Sequence, residues 1–273
     1  MKKILSVIVM GIMVMALLAG CGSSQAAATE PANKLEAIKA SKKLVVGTSA
    51  DYPPYEFHAV IDGVDTIVGF DMQVAKTIAD ELGVELEIKD MSFDAVLAGV
   101  GTGMIDIGVA GINPTPERDE AMDFSDVYYK ASHTILVKAD SVDKFKTKDD
   151  LKGKVVGAQT GTVQEGVAKE IEGVTVKSLG KVTDLILELK TGKIDAVMLE
   201  IPVASSYEKQ NSDLKIPENI VFEKIEGGSS IITANDEVEL MTEINKIIAD
   251  LKSSGKIDEF VASANELAEK TAQ

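Results

Sequence analysis

Arg118 is the only arginine in a chain of 273 residues; every other basic residue is lysine. A guanidinium can grip a carboxylate with two parallel hydrogen bonds, a geometry an ammonium cannot reproduce. Arg118 follows Asn113-Pro114-Thr115-Pro116, which reads as a rigid turn. Uniqueness and position make it a candidate carboxylate clamp rather than one more surface ion pair. Asp51-Tyr52-Pro53-Pro54-Tyr55-Glu56-Phe57 gathers three of the few aromatic residues (Tyr 5, Phe 7, Trp 0). Prolines restrict the backbone there, so a ring is held stiffly and can stack on a ligand or face a cation. Tyr55 and Phe57 are expected to pack into the body, leaving Tyr52 for a cleft. Glu56, Asp51 and Gln159 are expected to make the mouth of that cleft polar or acidic.

Other chemistries find no support. His58 and His133 are isolated, and no HExxH motif exists, so no metal site is expected. Gly99-Val100-Gly101-Thr102-Gly103-Met104 lacks the last glycine of a dinucleotide loop. Gly157-Ala158-Gln159-Thr160-Gly161-Thr162 lacks the Gly-Lys of a phosphate loop. There is no Gly-x-Ser-x-Gly elbow. Nothing requires catalysis or a cofactor.

The elements that hold these residues show an internal repeat. Leu44-Val45-Val46-Gly47 and Lys154-Val155-Val156-Gly157 are short apolar strands ending in glycine, each followed by a polar turn. Downstream, Thr102-Gly103-Met104-Ile105-Asp106 matches Thr191-Gly192-Lys193-Ile194-Asp195. In both copies a helical pattern precedes the glycine, which reads as a residue just past a helix end. An alternating strand is expected next, through Ile105, Ile107 and Val109 and through Ile194, Ala196 and Met198. Val74, Ile78 and Leu82, beside Ala75 and Ala79, mark a helix that Gly83 stops; Val84–Ile88 alternates as a strand. Val238, Met241, Ile244, Ile248 and Leu251 keep helical period until Gly255. Strand–helix–strand order predicts α/β lobes with parallel sheets, two of them, with a ligand beyond the carboxyl ends of the strands.

The charge balance, 28 Lys+Arg against 44 Asp+Glu with net charge −16, argues against a nucleic-acid binder. Hydrophobic residues at 45% suffice for a sizeable core. One cysteine excludes a disulfide framework. Lys2 and Lys3, the apolar run Ile4 to Leu18 and the small residues after it read as a secretory signal, the run being short for a membrane span. Gly22 to Ala32 reads as a flexible tether, with folding expected from Lys34 or Leu35.

Leu18-Ala19-Gly20-Cys21 resembles the lipobox of bacterial lipoproteins, which implies cleavage before Cys21 and lipid attachment to its sulfur. The body of the chain, nearly all of 35–268, resembles the amino-acid-binding class of bacterial extracellular solute-binding proteins that serve ABC importers. The resemblance rests on Tyr52-Pro53-Pro54-Tyr55-Glu56-Phe57, Gly69-Phe70-Asp71, Asp94 to Asp106, Pro114-Thr115-Pro116-Glu117-Arg118 and Asp123-Phe124-Ser125-Asp126. Val156 to Thr162 and Ile194-Asp195-Ala196-Val197 extend it.

The resemblance implies an α/β two-lobed clamshell, periplasmic-binding-protein-like, with lobes joined by two crossover strands near Tyr129–His133 and Phe222–Glu226. The implied division is residues 1–20 signal, 21–34 lipidated tether, 35–131 with 224–268 first lobe, and 132–223 second lobe. Arg118 would clamp the ligand's α-carboxylate, helped by Thr162 and the amide of Val163. The turn at Gly111–Asn113 would offer backbone groups. Tyr52 and Phe93 would sandwich the side chain. Glu200 falls where the family usually carries Asp to hold the α-ammonium, and Ser49 where several relatives with cationic or amide ligands carry Asp. The implied protein is a monomeric receptor at the outer face of the cell membrane. It would pass an L-amino acid, polar or basic side chains favoured, to ABC transporter permease subunits. The alternatives are a dehydratase-like enzyme on the same architecture, with Glu200 as proton carrier, and an amino-acid-sensing surface lipoprotein.

Overall fold

The computed structural model describes residues 31–222 and 227–271. Cys21 and the leader before it, and Glu223 to Glu226 of the second expected crossover, lie outside the described residues. The first helix is α1 (Lys34–Ser41), capped by the Asn33 side chain. Strand β1 (Lys43–Thr48) follows, then the small antiparallel set β2 (Asp51–Tyr52), β3 (Glu56–Ile61) and β4 (Val64–Val68). Helix α2 (Phe70–Leu82) buries Val74, Ala75, Ile78, Ala79 and Leu82 and ends at Gly83, whose φ of 70° suits glycine. Then come β5 (Glu85–Asp90), α3 (Phe93–Gly101), β6 (Ile107–Ile112), the short α4 (Pro116–Asp119) and β7 (Met122–Phe124).

The chain then crosses to a second sheet with β8 (His133–Lys138). It continues through β9 (Val155–Gln159), α5 (Val163–Glu170), β10 (Thr175–Leu179), α6 (Val182–Lys190), β11 (Ala196–Glu200) and α7 (Ile201–Gln210). Two short strands, β12 (Leu214–Lys215) and β13 (Val221–Phe222), finish that sheet. Strand β14 (Ser230–Ala234) returns to the first sheet; α8 (Val238–Ser253) then packs on α1 and α2, and α9 (Lys256–Lys270) on α2, α7 and α8.

The two sheets are copies of one plan. The first has the order β5-β1-β6-β14-β7 and the second the order β10-β9-β11-β8-β12. In each, three parallel strands are joined by one antiparallel strand that arrives from the other lobe, β14 in the first and β8 in the second. At the crossing the two passages lie side by side, Tyr129 bridging antiparallel to Ser229.

The repeated residues have repeated jobs. The Val45 amide donates to Asp106 and the Val155 amide to Asp195, each at 2.8 Å. Gly103 and Gly192 take φ of 70° and 72° just past the ends of α3 and α6. A side chain on Gly47 would stand 2.4 Å from the Ile105 Cδ1, and one on Gly157 would stand 2.7 Å from the Ile194 Cδ1. The central strands differ from the alternating expectation. Strands β6 and β11 are buried at every position, because helices cover both faces of a central parallel strand. Ile105 and Ile194 precede these strands instead of lying in them.

Candidate functional site

The carboxyl ends of the central strands meet between the lobes, and the residues there touch across the gap. Tyr52, Glu56, Phe93, Gly111, Asn113, Gln159 and Thr162, with Ala110 and Gln164, line one small cavity. Its volume is about 10 Å³, room for about one water molecule. The lobes are therefore shut against each other, and polar contacts show how. The Tyr52 hydroxyl accepts from Gln164 Nε2 and from the Glu200 amide, each at 3.3 Å. Gln159 Nε2 donates to Ser49 Oγ at 3.3 Å.

Arg118 spans the same gap. One guanidinium nitrogen donates to the Asn113 carbonyl and the other to the Gly161 carbonyl of the second lobe, the latter at 2.6 Å. Its charge lies 5.6 Å from the centre of the Phe93 ring. Among the described residues no carboxylate forms a salt bridge with it. Burial draws its pKa down to about 10, which leaves it charged at neutral pH.

Tyr55 corrects the sequence reading. It does pack into the first lobe, wholly buried against Phe70 at 4.4 Å between ring centres, but its hydroxyl also donates to the Glu200 carboxyl across the gap. Glu200 ends β11 and precedes α7, so the strand aims its side chain at the first lobe. Burial pushes its pKa up to about 8; Tyr55 and Asn113 hydrogen bonds oppose this and the Asp71 charge adds to it. His133 stands beside it, Nε2 to Oε1 3.6 Å, with neither ring nitrogen hydrogen-bonded. Burial draws the His133 pKa down to about 4, so the ring is neutral.

Two further corrections concern the first lobe. Glu56, Asp51 and Gln159 do not form an exposed mouth: all are buried, Glu56 at 1% exposure. One Glu56 oxygen has no hydrogen-bond partner. Burial drives its pKa well above the usual carboxylate range, and the neighbouring Asp71 and Asp51 charges add to this. Gly111 belongs to β6, not to the turn, and its amide is already given to Asp71 Oδ2 at 2.8 Å. The other Asp71 oxygen accepts from Tyr128 at 2.8 Å. Burial still raises Asp71 to about 6.

In the second lobe Thr162 caps α5. Its hydroxyl donates to the Gln159 carbonyl at 2.7 Å and accepts from the Glu165 amide at 3.2 Å. Val163 opens the helix, so its amide belongs to the first turn, whose N–H groups have no partner within the helix. Sequence reasoning missed Gln164, Asp71, Tyr128 and His133. Gln164 adjoins Thr162 and Val163 and could have been found from them. Among the described residues no cluster of His, Cys, Asp and Glu could hold a metal ion.

Known proteins share this two-lobed fold. The family profile described as bacterial extracellular solute-binding proteins, family 3, matches residues 44–263. The arginine-binding extracellular protein ArtP of Bacillus subtilis is 37% identical over 266 residues, covering 95% of this chain and 96% of that protein. The L-cystine-binding protein TcyJ of Escherichia coli is 30% identical, with 91% of each chain covered. The crystal structure of the substrate-binding protein AbpA of an amino acid ABC transporter from Streptococcus pneumoniae, bound to L-arginine, superposes with a TM-score of 0.82. It is 41% identical, covering 85% of this chain and 98% of that one.

Proposed function

Because the chain belongs to the bacterial extracellular solute-binding proteins, family 3, we propose that it captures an L-amino acid with a cationic side chain, arginine first, and delivers it to an ABC importer. The observation that carries the cationic preference is Glu56. Its buried carboxyl lines the same cavity as Tyr52 and Phe93, with one oxygen unpartnered. Around it lie Asp71 and Glu200, both buried carboxyls. Several buried acids without a cation cannot all ionise, whereas a guanidinium among them pairs with charge that burial otherwise suppresses. The arginine-binding relatives support the same reading.

In this proposal the lobes part, the amino acid enters and they close on it. Arg118 exchanges its carbonyl partners for the ligand's α-carboxylate, aided by Thr162 and the first-turn amide of Val163. Glu200 takes the α-ammonium, and Tyr52 and Phe93 flank the side chain. Asn113, Ser49 and Gln159 fix the surrounding polar frame, while the Gly111 amide stays with Asp71 and is not spent on the ligand. A receptor of this kind acts as a monomer and returns its ligand unchanged.

We propose further that Cys21 carries a lipid that holds the protein at the outer face of the cell membrane. Cys21→Ser should then move it from the membrane fraction to the medium; a variant still membrane-bound would point to a retained apolar segment. The ligand reading is tested by calorimetry with L-arginine, L-lysine, L-glutamine and L-cystine. Arginine is expected to bind tightest and to be recovered intact. Tighter binding of a neutral amino acid would overturn the cationic assignment, and conversion of the ligand would favour the dehydratase-like enzyme.

A further inference from the structure

A second set of contacts ties the lobes together outside the cavity. Lys181 immediately precedes α6 in the second lobe. Its Nζ donates to Asp90 Oδ1 at 2.7 Å and to the Met91 carbonyl at 3.0 Å, both in the first lobe. The next amide, Val182 N, donates to Asp51 Oδ2. The Asp51 carbonyl in turn accepts from the Tyr207 hydroxyl of α7 at 2.8 Å. Each acid is also anchored within its own lobe, Asp90 by the Ala50 amide at 3.0 Å and Asp51 by Ser49 Oγ at 3.2 Å.

None of Asp51, Asp90, Lys181, Val182 or Tyr207 lines the cavity. We propose that these residues form a latch that holds the lobes closed and so sets ligand affinity and release without touching the ligand. The first-lobe acids are fixed in place before closure. Lys181 and the Val182 amide come from the other lobe, so these bonds exist only when the lobes meet. A ligand that binds the closed form has an apparent Kd divided by the closed fraction, so stabilising closure tightens binding with no new ligand contact.

The two halves differ in character. Lys181 and Asp90 are partly exposed, with side-chain exposures of 29% and 33%, so their ion pair is screened by salt. The bond from the Val182 amide to Asp51 is buried and charge-assisted, so salt affects it less.

The test uses Lys181→Met and Asp90→Asn, two partly exposed sites where folding is expected to survive, with L-arginine as the probe. Each variant should raise Kd about threefold to tenfold, through faster release, with an unchanged far-ultraviolet circular dichroism spectrum. The double variant should lose less than the sum of the two, because the residues share one interaction. Salt should weaken arginine binding by the wild type more than by the variants. Unchanged Kd or additive losses would overturn the latch. A wild type that fails to bind arginine removes the ligand reading, not this one. The latch is then judged by small-angle scattering without any amino acid, where Lys181→Met must raise the radius of gyration. Identical curves for wild type and variant would overturn it.

Discussion

The Tyr55 hydroxyl, in the first lobe, donates a hydrogen bond to the Glu200 carboxyl at the end of β11 in the second. The two residues are 145 positions apart and both are buried. Closure thus places a phenol where Glu200 would otherwise have lost its water without replacement. Tyr55→Phe should weaken arginine binding by about 1.5–3 kcal/mol, the usual worth of a hydrogen bond to a charged group. Combined with Glu200→Gln the loss should be less than additive, measured by calorimetry as a double-mutant cycle. Full additivity would mean that the two act on binding separately.

Arg118→Lys retains charge but loses the fork that now reaches the Asn113 and Gly161 carbonyls. Affinity for arginine should fall about tenfold to a hundredfold with a nearly unchanged fold. Calorimetry with unaltered affinity would leave Arg118 as a tie between lobes and nothing more.

Glu56→Gln keeps the shape of the side chain and removes its charge. It should reduce affinity for L-arginine and L-lysine by more than about tenfold, the price of one charge-assisted bond, while changing that for L-glutamine little. A thermal-shift series across these ligands reads the difference, since ligand binding to the native state alone raises apparent stability. Equal losses for cationic and neutral ligands would move the cation site away from Glu56.

The buried acids predict a pH effect. Burial raises Glu200 to about 8 and drives Glu56 well upward, so the native protein holds protons that the unfolded chain has released. Stability without amino acid must then fall as pH rises toward the folded values. Asp51 and Asp71, raised to about 6, act in the same direction at lower pH. His133, lowered from 6.5 to about 4, opposes them below its ordinary value. The unopposed window is therefore from pH 6.5 to about 8. The melting temperature should drop across it, and Glu200→Gln should flatten the drop. A flat wild-type profile would show that these carboxyls are ionised throughout.

Gly47→Ala should destabilise the first lobe, because its Cβ would stand 2.4 Å from the Ile105 Cδ1. Overpacking of this kind costs about 1–3 kcal/mol. Ile105→Val, which removes that atom, should recover part of the loss in thermal unfolding. No recovery would mean that backbone strain and not the Ile105 contact is responsible.

Much of the architecture was legible because its causes are local. The period of Val74, Ile78 and Leu82 and the stop at Gly83 are set within one helix, and α2 follows them. The paired motifs ending in Asp106 and Asp195 recur because each lobe needs the same side chain to satisfy the same strand amide. Tyr52, Phe93 and Asn113 could be placed beside one cavity through the family resemblance; they stand at the end of β2, the start of α3 and just past β6. Arg118 stood out by residue type alone. Tyr55 and Glu56 illustrate the opposite case. Adjacent in a proline-rich run, they differ in whether a partner from the other lobe meets them, and no local pattern encodes that. The same holds for His133 beside Glu200, Gln164 beneath Tyr52 and Lys181 on Asp90. Residue type and spacing determined which side chains could do chemistry and which elements carry them. Which of them meet, and which carboxyls lose their water together, was decided only when two separately folded sheets closed on each other.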